Sequence, residues 1–506
     1  METLVSNPLY LLFVLVIPIC CNSYEYDPPD NIALDCGTFG RSESDGRIWQ
    51  GDIASTLSPS DDLKSSVRNS THKPSNMIPY YTARLSRSNF SYQFQLSSSG
   101  PIFIRLHFFP TPYQDFDPYK AFFSVKVNQF TLLNNFSAYA FAAFLQKETV
   151  IREFSINVGE DKGVNMTFTT SHTPPDAYAF VNGIEIISMP MDLYYGSDDA
   201  NGLIVIGTAN AHYLENDTAL EMVHRLNVGG EDVSPTGDTG VFRQWLKDND
   251  YVSIVGAAPA NLSIKPRFGI IIPNYSAPDT VYQTARSMGI NGTQNQGYNL
   301  TWNLPIDPGF SYMVRLHFCE IESIINKTSD RVFQIYLANQ TAEADFDVIA
   351  RTGNIGNGIP IYRDYMVTIN GGTANKQNLS LALHPVPASR TRHSDAILNG
   401  IEVFKMSDSN HNLAGPNPDL HPPPSPTQPS SSKRKNTKQI IAICCGIISG
   451  VVALSVLGFF VFQRRTRALF GAIKPNKAKH HGCRPMYVAD SLSPRSDRPQ
   501  ITSTML

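Results

Sequence analysis

The residues of this 506-residue chain that carry chemistry in most folds are its histidines, arginines and carboxylates, and their spacing limits what they can do here. Arg105-Leu106-His107-Phe108 returns as Arg315-Leu316-His317-Phe318. On a strand, Arg105 and His107 share one face while Leu106 and Phe108 share the other. A site needs only one such constellation, so its recurrence argues for a structural job. Arg84 and Arg286 recur in the same way. So do Arg152, in Ile151-Arg152-Glu153-Phe154, and Arg363, in Tyr362-Arg363-Asp364-Tyr365. All four are expected to meet carboxylates inside the fold. A glycosidase needs two carboxylates about 5–10 Å apart in a cleft, and no local motif singles out a pair. Zinc would take Cys or His in close pairs, and no such spacing occurs. No catalytic, cofactor-binding or metal-binding residue is assigned, no cofactor is expected, and the chain is read as a non-enzyme. One loop stands out as a ligand candidate: Tyr113, Asp115, Phe116, Asp117 and Tyr119 lie among prolines in Pro110–Tyr119. It is either a sugar or partner surface, or a proline-stiffened loop that packs its own aromatics.

The elements that must hold these residues are strands. Apolar residues alternate in Pro101–Phe108, Phe122–Val127 and Phe333–Leu337, and Gly, Pro, Asn and Asp divide the runs. This pattern predicts short antiparallel strands. Tyr80-Tyr81-Thr82-Ala83-Arg84 returns as Tyr282-Gln283-Thr284-Ala285-Arg286, and Asn182-Gly183-Ile184-Glu185 as Asn399-Gly400-Ile401-Glu402. The offsets grow slowly in chain order, as they do when loops lengthen in one of two copies of a domain. The fold class is mainly β, with two tandem sandwiches of the jelly-roll kind. The expected division is domain A at 24–195 and domain B at 196–406. One short helical piece is expected at Phe242–Leu246.

The ends of the chain carry other instructions. Leu9–Ile19 is an apolar run that suits a signal peptide over 1–23. Ile440–Phe462 is 23 residues without a charge, long enough to cross a bilayer as a helix. Gly446 and Gly450 there permit close helix packing. Residues 407–439 are rich in Pro, Ser and Asn and read as an extracellular stalk. The tail, 463–506, carries nine Lys or Arg against two Asp, a composition that predicts disorder. Its basic residues suit anionic lipid. The chain is thus expected to be a single-pass plasma-membrane protein with its N-terminal domains outside. N-glycosylation sequons agree: Asn69, Asn89, Asn135, Asn165, Asn216, Asn261, Asn274, Asn291, Asn299, Asn326, Asn339 and Asn378 all lie between the two apolar runs. In that segment only Cys36 and Cys319 occur after residue 23. They either bridge the two copies or stay as buried thiols. Residues 24–432 carry a net charge of −13. That charge favours basic ligands over polyanions, or serves solubility alone.

Together with Leu34-Asp35-Cys36-Gly37, Arg225-Leu226-Asn227-Val228-Gly229-Gly230 and Arg243-Gln244-Trp245, these repeats resemble the tandem malectin-like ectodomain of plant Catharanthus-type receptor-like kinases, the FERONIA, THESEUS and ANXUR group. The resemblance covers residues ~30–406 and continues into the stalk and span. It implies a receptor that binds secreted basic peptides of the rapid alkalinisation factor type together with a glycolipid-anchored co-receptor, and in some relatives pectin. Members of the family carry a kinase after the span. The 44 residues that follow it here hold no Gly-rich loop, no Val-Ala-Ile-Lys and no His-Arg-Asp. The expectation is therefore a receptor-like protein without its own kinase, signalling through a partner kinase or acting as a decoy. The alternatives are a wall-polysaccharide lectin tether, or the record of a longer kinase.

Overall fold

The inward positions of the outer strands are almost all aromatic or aliphatic. In Phe90–Gln95, for example, Phe90, Tyr92 and Phe94 are buried while Ser91, Gln93 and Gln95 face out. A computed structural model describes residues 25–60, 65–196, 202–208, 210–253, 258–372 and 376–419. The expected signal peptide, membrane span, Gly446 and Gly450, and basic tail lie outside the described residues. No helix among the described residues is long and apolar enough to cross a membrane.

Each sequence copy forms one lobe, built from a four-stranded outer sheet packed on half of a shared large sheet. Lobe A's outer sheet runs Phe90–Gln95, Gly163–Thr170, Phe123–Val127, Phe130–Phe136. Lobe B repeats it with Leu300–Ile306, Gln377–Pro385, Phe333–Leu337, Gln340–Phe346. Between each outer sheet and the large sheet lies a separate apolar core. The same phenylalanine triad anchors both. Phe108 lies 5.7 Å from Phe123 and 5.3 Å from Phe136, and Phe318 lies 6.1 Å from Phe333 and 4.5 Å from Phe346. Burial of one such ring is worth roughly 1.5–3 kcal/mol.

The two copies are not beads on a string. Val150–Val158 of lobe A pairs antiparallel with Leu220–Asn227, with Phe154 opposite Glu221 and Ser155 opposite Leu220. That pairing fuses both halves into one 13-stranded sheet. Strands Gly100–Phe108, Gly183–Ser188, Ser311–Phe318 and Gly400–Met406 are therefore buried on both faces over almost their whole length. Their second face is roofed by a third apolar cluster at the junction that includes Phe103, Tyr194, Tyr195, Val241, Met313 and Phe404.

Two expectations are corrected and one pair of alternatives is decided. Phe242–Leu246 is not helical. Arg243 sits fully buried with its guanidinium on Asp238 at 3.0 Å, and Trp245 exchanges backbone hydrogen bonds with Val233, which holds the segment extended. Cys36 and Cys319 are both free and buried, one in each lobe's core, so no bridge joins the copies. Residues 407–419 do not begin a stalk. They pack back onto lobe A, where Leu413 is fully buried in its core. The longest helix among the described residues is Ala138–Leu145, capped by Ser137, whose hydroxyl accepts from the Ala140 N–H.

Candidate functional site

The recurring polar residues meet in two buried networks on the roofed face of the large sheet. In lobe A, His107 Nε2 lies 2.7 Å from Glu185, and the Tyr80 hydroxyl lies 2.9 Å from His107 Nδ1. Arg105 donates to Glu153 at 2.5 Å and to Glu185 at 3.2 Å. Lobe B repeats the core of this: His317 Nε2 lies 3.2 Å from Glu402, and the Tyr282 hydroxyl lies 2.7 Å from His317 Nδ1. A tryptophan edge packs on each imidazole at 5.4 Å, Trp49 on His107 and Trp245 on His317. Burial alone would raise the Glu185 and Glu402 carboxyls. The arginines and histidines around them outweigh it and hold both well below the usual carboxylate range. Burial pushes His317 down. These side chains are buried and bonded to one another, as a structural job requires.

The repeated arginines also find the carboxylates expected of them. Arg84 pairs with Asp52 at 3.0 Å and Arg286 with Asp248 at 2.5 Å. Arg152 pairs with Glu221, and Arg363 with Glu343 at 3.2 Å. The Asn of each Asn-Gly-Ile-Glu motif ties strands together. Asn182 donates to the Thr82 carbonyl at 2.7 Å and accepts from the Phe109 N–H at 2.7 Å. Asn399 donates to the Thr284 carbonyl at 2.8 Å and accepts from the Cys319 N–H at 2.8 Å.

The candidate ligand loop divides. Tyr113 is fully buried, its hydroxyl donating to the Phe109 carbonyl at 2.9 Å. Phe116 is also buried, with its ring centroid 4.9 Å from that of Tyr178. Those two pack the loop from within and cannot touch a ligand. Asp115, Asp117 and Tyr119 are exposed. Asp117 caps a short turn by accepting from the Tyr119 N–H. Tyr119 pairs with Tyr139, the rings 4.3 Å apart and the hydroxyls 2.9 Å apart.

The structure adds two hollows that the sequence did not indicate. One, of about 850 Å³, lies beside the junction and is lined by Met191, Tyr194, Tyr213, Ile271, Tyr362 and Arg363 among others. The other, of about 520 Å³, lies at the loop end of lobe B. Its floor is Arg331, which meets Glu320 at 2.6 Å, Glu322 at 2.6 Å and Asp395 at 2.8 Å. Three carboxyl groups share one guanidinium. Burial, only partly offset by Arg331, pushes Glu320 up to about 7. Among the described residues, no group of three or more His, Cys, Asp or Glu side chains could hold a metal ion. Of the twelve sequon asparagines none is buried: Asn261 and Asn274 are half-buried and the rest exposed.

A family model for the malectin-like domain matches residues 34–406. Among curated proteins, the chain is 42% identical over 493 residues to the receptor-like protein kinase FERONIA of Arabidopsis thaliana, covering 94% of this chain and 54% of FERONIA. It is 33% identical over 459 residues to ANXUR2 of the same plant, covering 86% of this chain and 50% of ANXUR2. The chain thus spans about half the length of these relatives. A crystal structure of the plant receptor-like kinase FER superposes with a TM-score of 0.70 at 44% identity, over 77% of this chain and 99% of that one. A crystal structure of the plant peptide RALF23 in complex with FER and LLG2 matches with a TM-score of 0.70 at 44% identity, over 78% of this chain and 99% of that one. The extracellular domain of ANXUR2 matches at 0.71 with 32% identity, over 77% and 100%.

Proposed function

The chain belongs to the malectin-like family, and we propose from that premise that it is a plant cell-surface receptor-like protein whose two-lobed ectodomain binds a secreted basic peptide together with a co-receptor. The observation that carries this reading is the 44% identity to a FER ectodomain seen with a RALF peptide and LLG2, over nearly the whole of that ectodomain. The net charge of −13 over residues 24–432 supports it, because an acidic surface steers a basic peptide. The ectodomain works by binding rather than chemistry: its recurring His, Arg and Glu residues are already paired inside the fold. Output to the cell passes through the segments beyond residue 419 to a partner kinase, or the chain acts as a decoy; a longer form of the protein that carries its own kinase is the alternative. The twelve sequon asparagines carry N-glycans in this reading, and the plasma membrane is its location.

Isothermal calorimetry on the secreted ectodomain, residues 24–432, tests the proposal. RALF23 and LLG2 are the probes, separately and together. Saturable peptide binding that tightens when LLG2 is present is the expected outcome. Absence of peptide binding with and without LLG2 overturns it. A second reading, a lectin that tethers wall polysaccharide, rests on the exposed ring of Tyr119, held by the half-buried Tyr139, since an exposed aromatic face suits a sugar ring. De-esterified pectin fragments in the same cell, binding where the peptide does not, would favour that reading.

A further inference from the structure

Residues 407–417 leave lobe B and cross to lobe A. The Ser407 N–H donates to the Ala219 carbonyl at 2.9 Å, where the chain leaves the last strand of the large sheet. His411 then packs edge-on against Phe130, 5.4 Å between centroids. The Thr131 N–H donates to the His411 carbonyl at 3.0 Å, and the Leu413 N–H donates back to the Thr131 carbonyl at 2.9 Å. This covers Phe130–Phe136, the edge strand of lobe A's outer sheet, in a parallel bridge between Thr131 and Asn412. Leu413 fills lobe A's core and is fully buried. At Gly415 the segment presses on lobe B instead: a Cβ there would fall 2.2 Å from the Asp307 carboxylate, which is held in place by Lys405 at 2.7 Å. Asn417 closes the run. Its amide oxygen accepts from the Ser137 N–H at 2.9 Å, and its amide nitrogen donates to the Asn135 carbonyl at 2.7 Å.

We propose that residues 407–417 are a releasable clasp: the first part of the folded chain to separate when it is drawn from beyond residue 419, and the part whose release opens the Phe130–Phe136 edge of lobe A. The order of attachment decides this. A pull from the C-terminal side meets Asn417 first, then Leu413, then His411, so the attachments break one at a time. The strand that follows inward, Gly400–Met406, is paired on both sides along its length and resists as a unit. Release strips the edge strand of its cover and removes Leu413 from lobe A's core. It leaves an unpaired strand edge with an apolar slot beside it, a surface that accepts an extended segment. The clasp therefore places the response to an event beyond residue 419 on lobe A, although lobe B is nearer in sequence.

Two measurements on the full chain in detergent micelles test this. In optical tweezers with handles at the two ends, the native chain should show a small first rupture. It should lengthen the tether by no more than about 40 Å, the reach of eleven residues at ~3.3–3.6 Å each, before any lobe-sized event. In Leu413→Ala and in Gly415→Ala that first rupture should vanish or move to lower force. In hydrogen exchange, both variants should speed the amides of Phe130–Phe136 and Ser137 at least tenfold and leave Gln340–Phe346 of lobe B unchanged. Gly415→Ala leaves lobe A's core composition intact, so its effect reports the clasp and not a core cavity. A first rupture of lobe size in the native chain overturns the proposal. So do unchanged amides at 130–137 in both variants, or equal acceleration in both lobes.

Discussion

Lobe A and lobe B are built on one framework and finished differently at their loop ends. The phenylalanine triads, the Tyr–His–Glu networks, the Arg84–Asp52 and Arg286–Asp248 pairs and the two strand-tying asparagines occupy matching places. Two residues after the Phe108/Phe318 pair, lobe A has Pro110 and lobe B has Glu320. Two residues before Phe123/Phe333 stand Ala121 and Arg331, and four before Asn182/Asn399 stand Tyr178 and Asp395. Lobe A closes this end with its own aromatics, Tyr113, Phe116 and Tyr178, all buried. Lobe B replaces the apolar set with an arginine and its carboxylates, and a hollow of about 520 Å³ remains above them. Residues held in common are those the sandwich needs to fold; residues that differ mark the places where each lobe is free to specialise.

The exits of the two lobes are reciprocal. After Ser188, lobe A's chain passes over lobe B's face, where the Leu193 carbonyl accepts from Arg315 at 2.6 Å and the Tyr194 hydroxyl donates to Glu402 at 2.6 Å. After Met406, lobe B's chain returns to lobe A's edge. The first crossing is part of the apolar roof of the junction, with Leu193, Tyr194 and Tyr195 buried; the second runs along the edge of lobe A's outer sheet and is the one proposed to let go.

The largest break in this comparison should come where the two networks join. Arg225 bonds Glu402 of its own lobe and Glu153 of lobe A, both at 2.8 Å, and is almost wholly buried. Arg225→Ala leaves two buried carboxylates short of a partner and should cost about 3–5 kcal/mol in denaturant unfolding. If the lobes were held only by their separate cores, the loss would be far smaller.

A pH titration of stability sharpens the contrast next. Asp35 of lobe A stands where lobe B has Asn227, whose amide is bonded to the Glu231 carbonyl and the Thr284 hydroxyl. One oxygen of Asp35 is buried without a partner, and burial pushes its carboxyl up to about 7. In each lobe one buried acid, Asp35 or Glu320, keeps its proton in the folded state to a higher pH than in the unfolded chain. The stability each contributes is full below the unfolded carboxylate value and is lost as pH rises through about 7. Chemical denaturation from pH 4 to 8 should therefore show declining stability across that window, on top of the other carboxylates. Asp35→Asn should gain about 1–3 kcal/mol at pH 7.5 and nothing at pH 4. Glu320→Gln should flatten the slope in the same direction, by less, because Arg331 already partly neutralises Glu320. A slope unchanged by both variants would remove this account of the acids.

The smallest effect on stability belongs to Tyr119→Ala. Tyr119 is 59% exposed, and its loss should stay within about 0.5 kcal/mol. Its worth as a test lies in binding: reduced affinity for pectin fragments with peptide affinity unchanged would separate the two ligand classes on the surface of lobe A.

How much of this was legible follows the range of the interaction. The strands, the duplication and the pairing of Arg84, Arg286, Arg152 and Arg363 with carboxylates follow from period-two patterns and repeated motifs. Of the five candidate loop residues, Tyr113 and Phe116 turn inward; the sequence left both alternatives open, because alternation does not say whether an aromatic turns toward solvent or toward Phe180, as Tyr113 does. The Phe242–Leu246 expectation failed for a related reason: Arg243 takes its conformation from Asp238 and the Ser276 carbonyl, 5 and 33 residues away in opposite directions.

The sequence by itself determined the elements, since side-chain alternation and turn residues act over a few neighbours. It also determined that the fold is written twice, and where charge and sequons lie. Only the tertiary structure decided that the two copies share one sheet, that the repeated histidines are sealed beneath the junction, and that residues 407–417 fold back on lobe A. Each of these depends on backbone groups and burial brought together from far along the chain. Strand edges offer the same N–H and C=O groups whatever their side chains, so a pairing such as Phe154 with Glu221 or Thr131 with Asn412 leaves no local mark on the residues that make it.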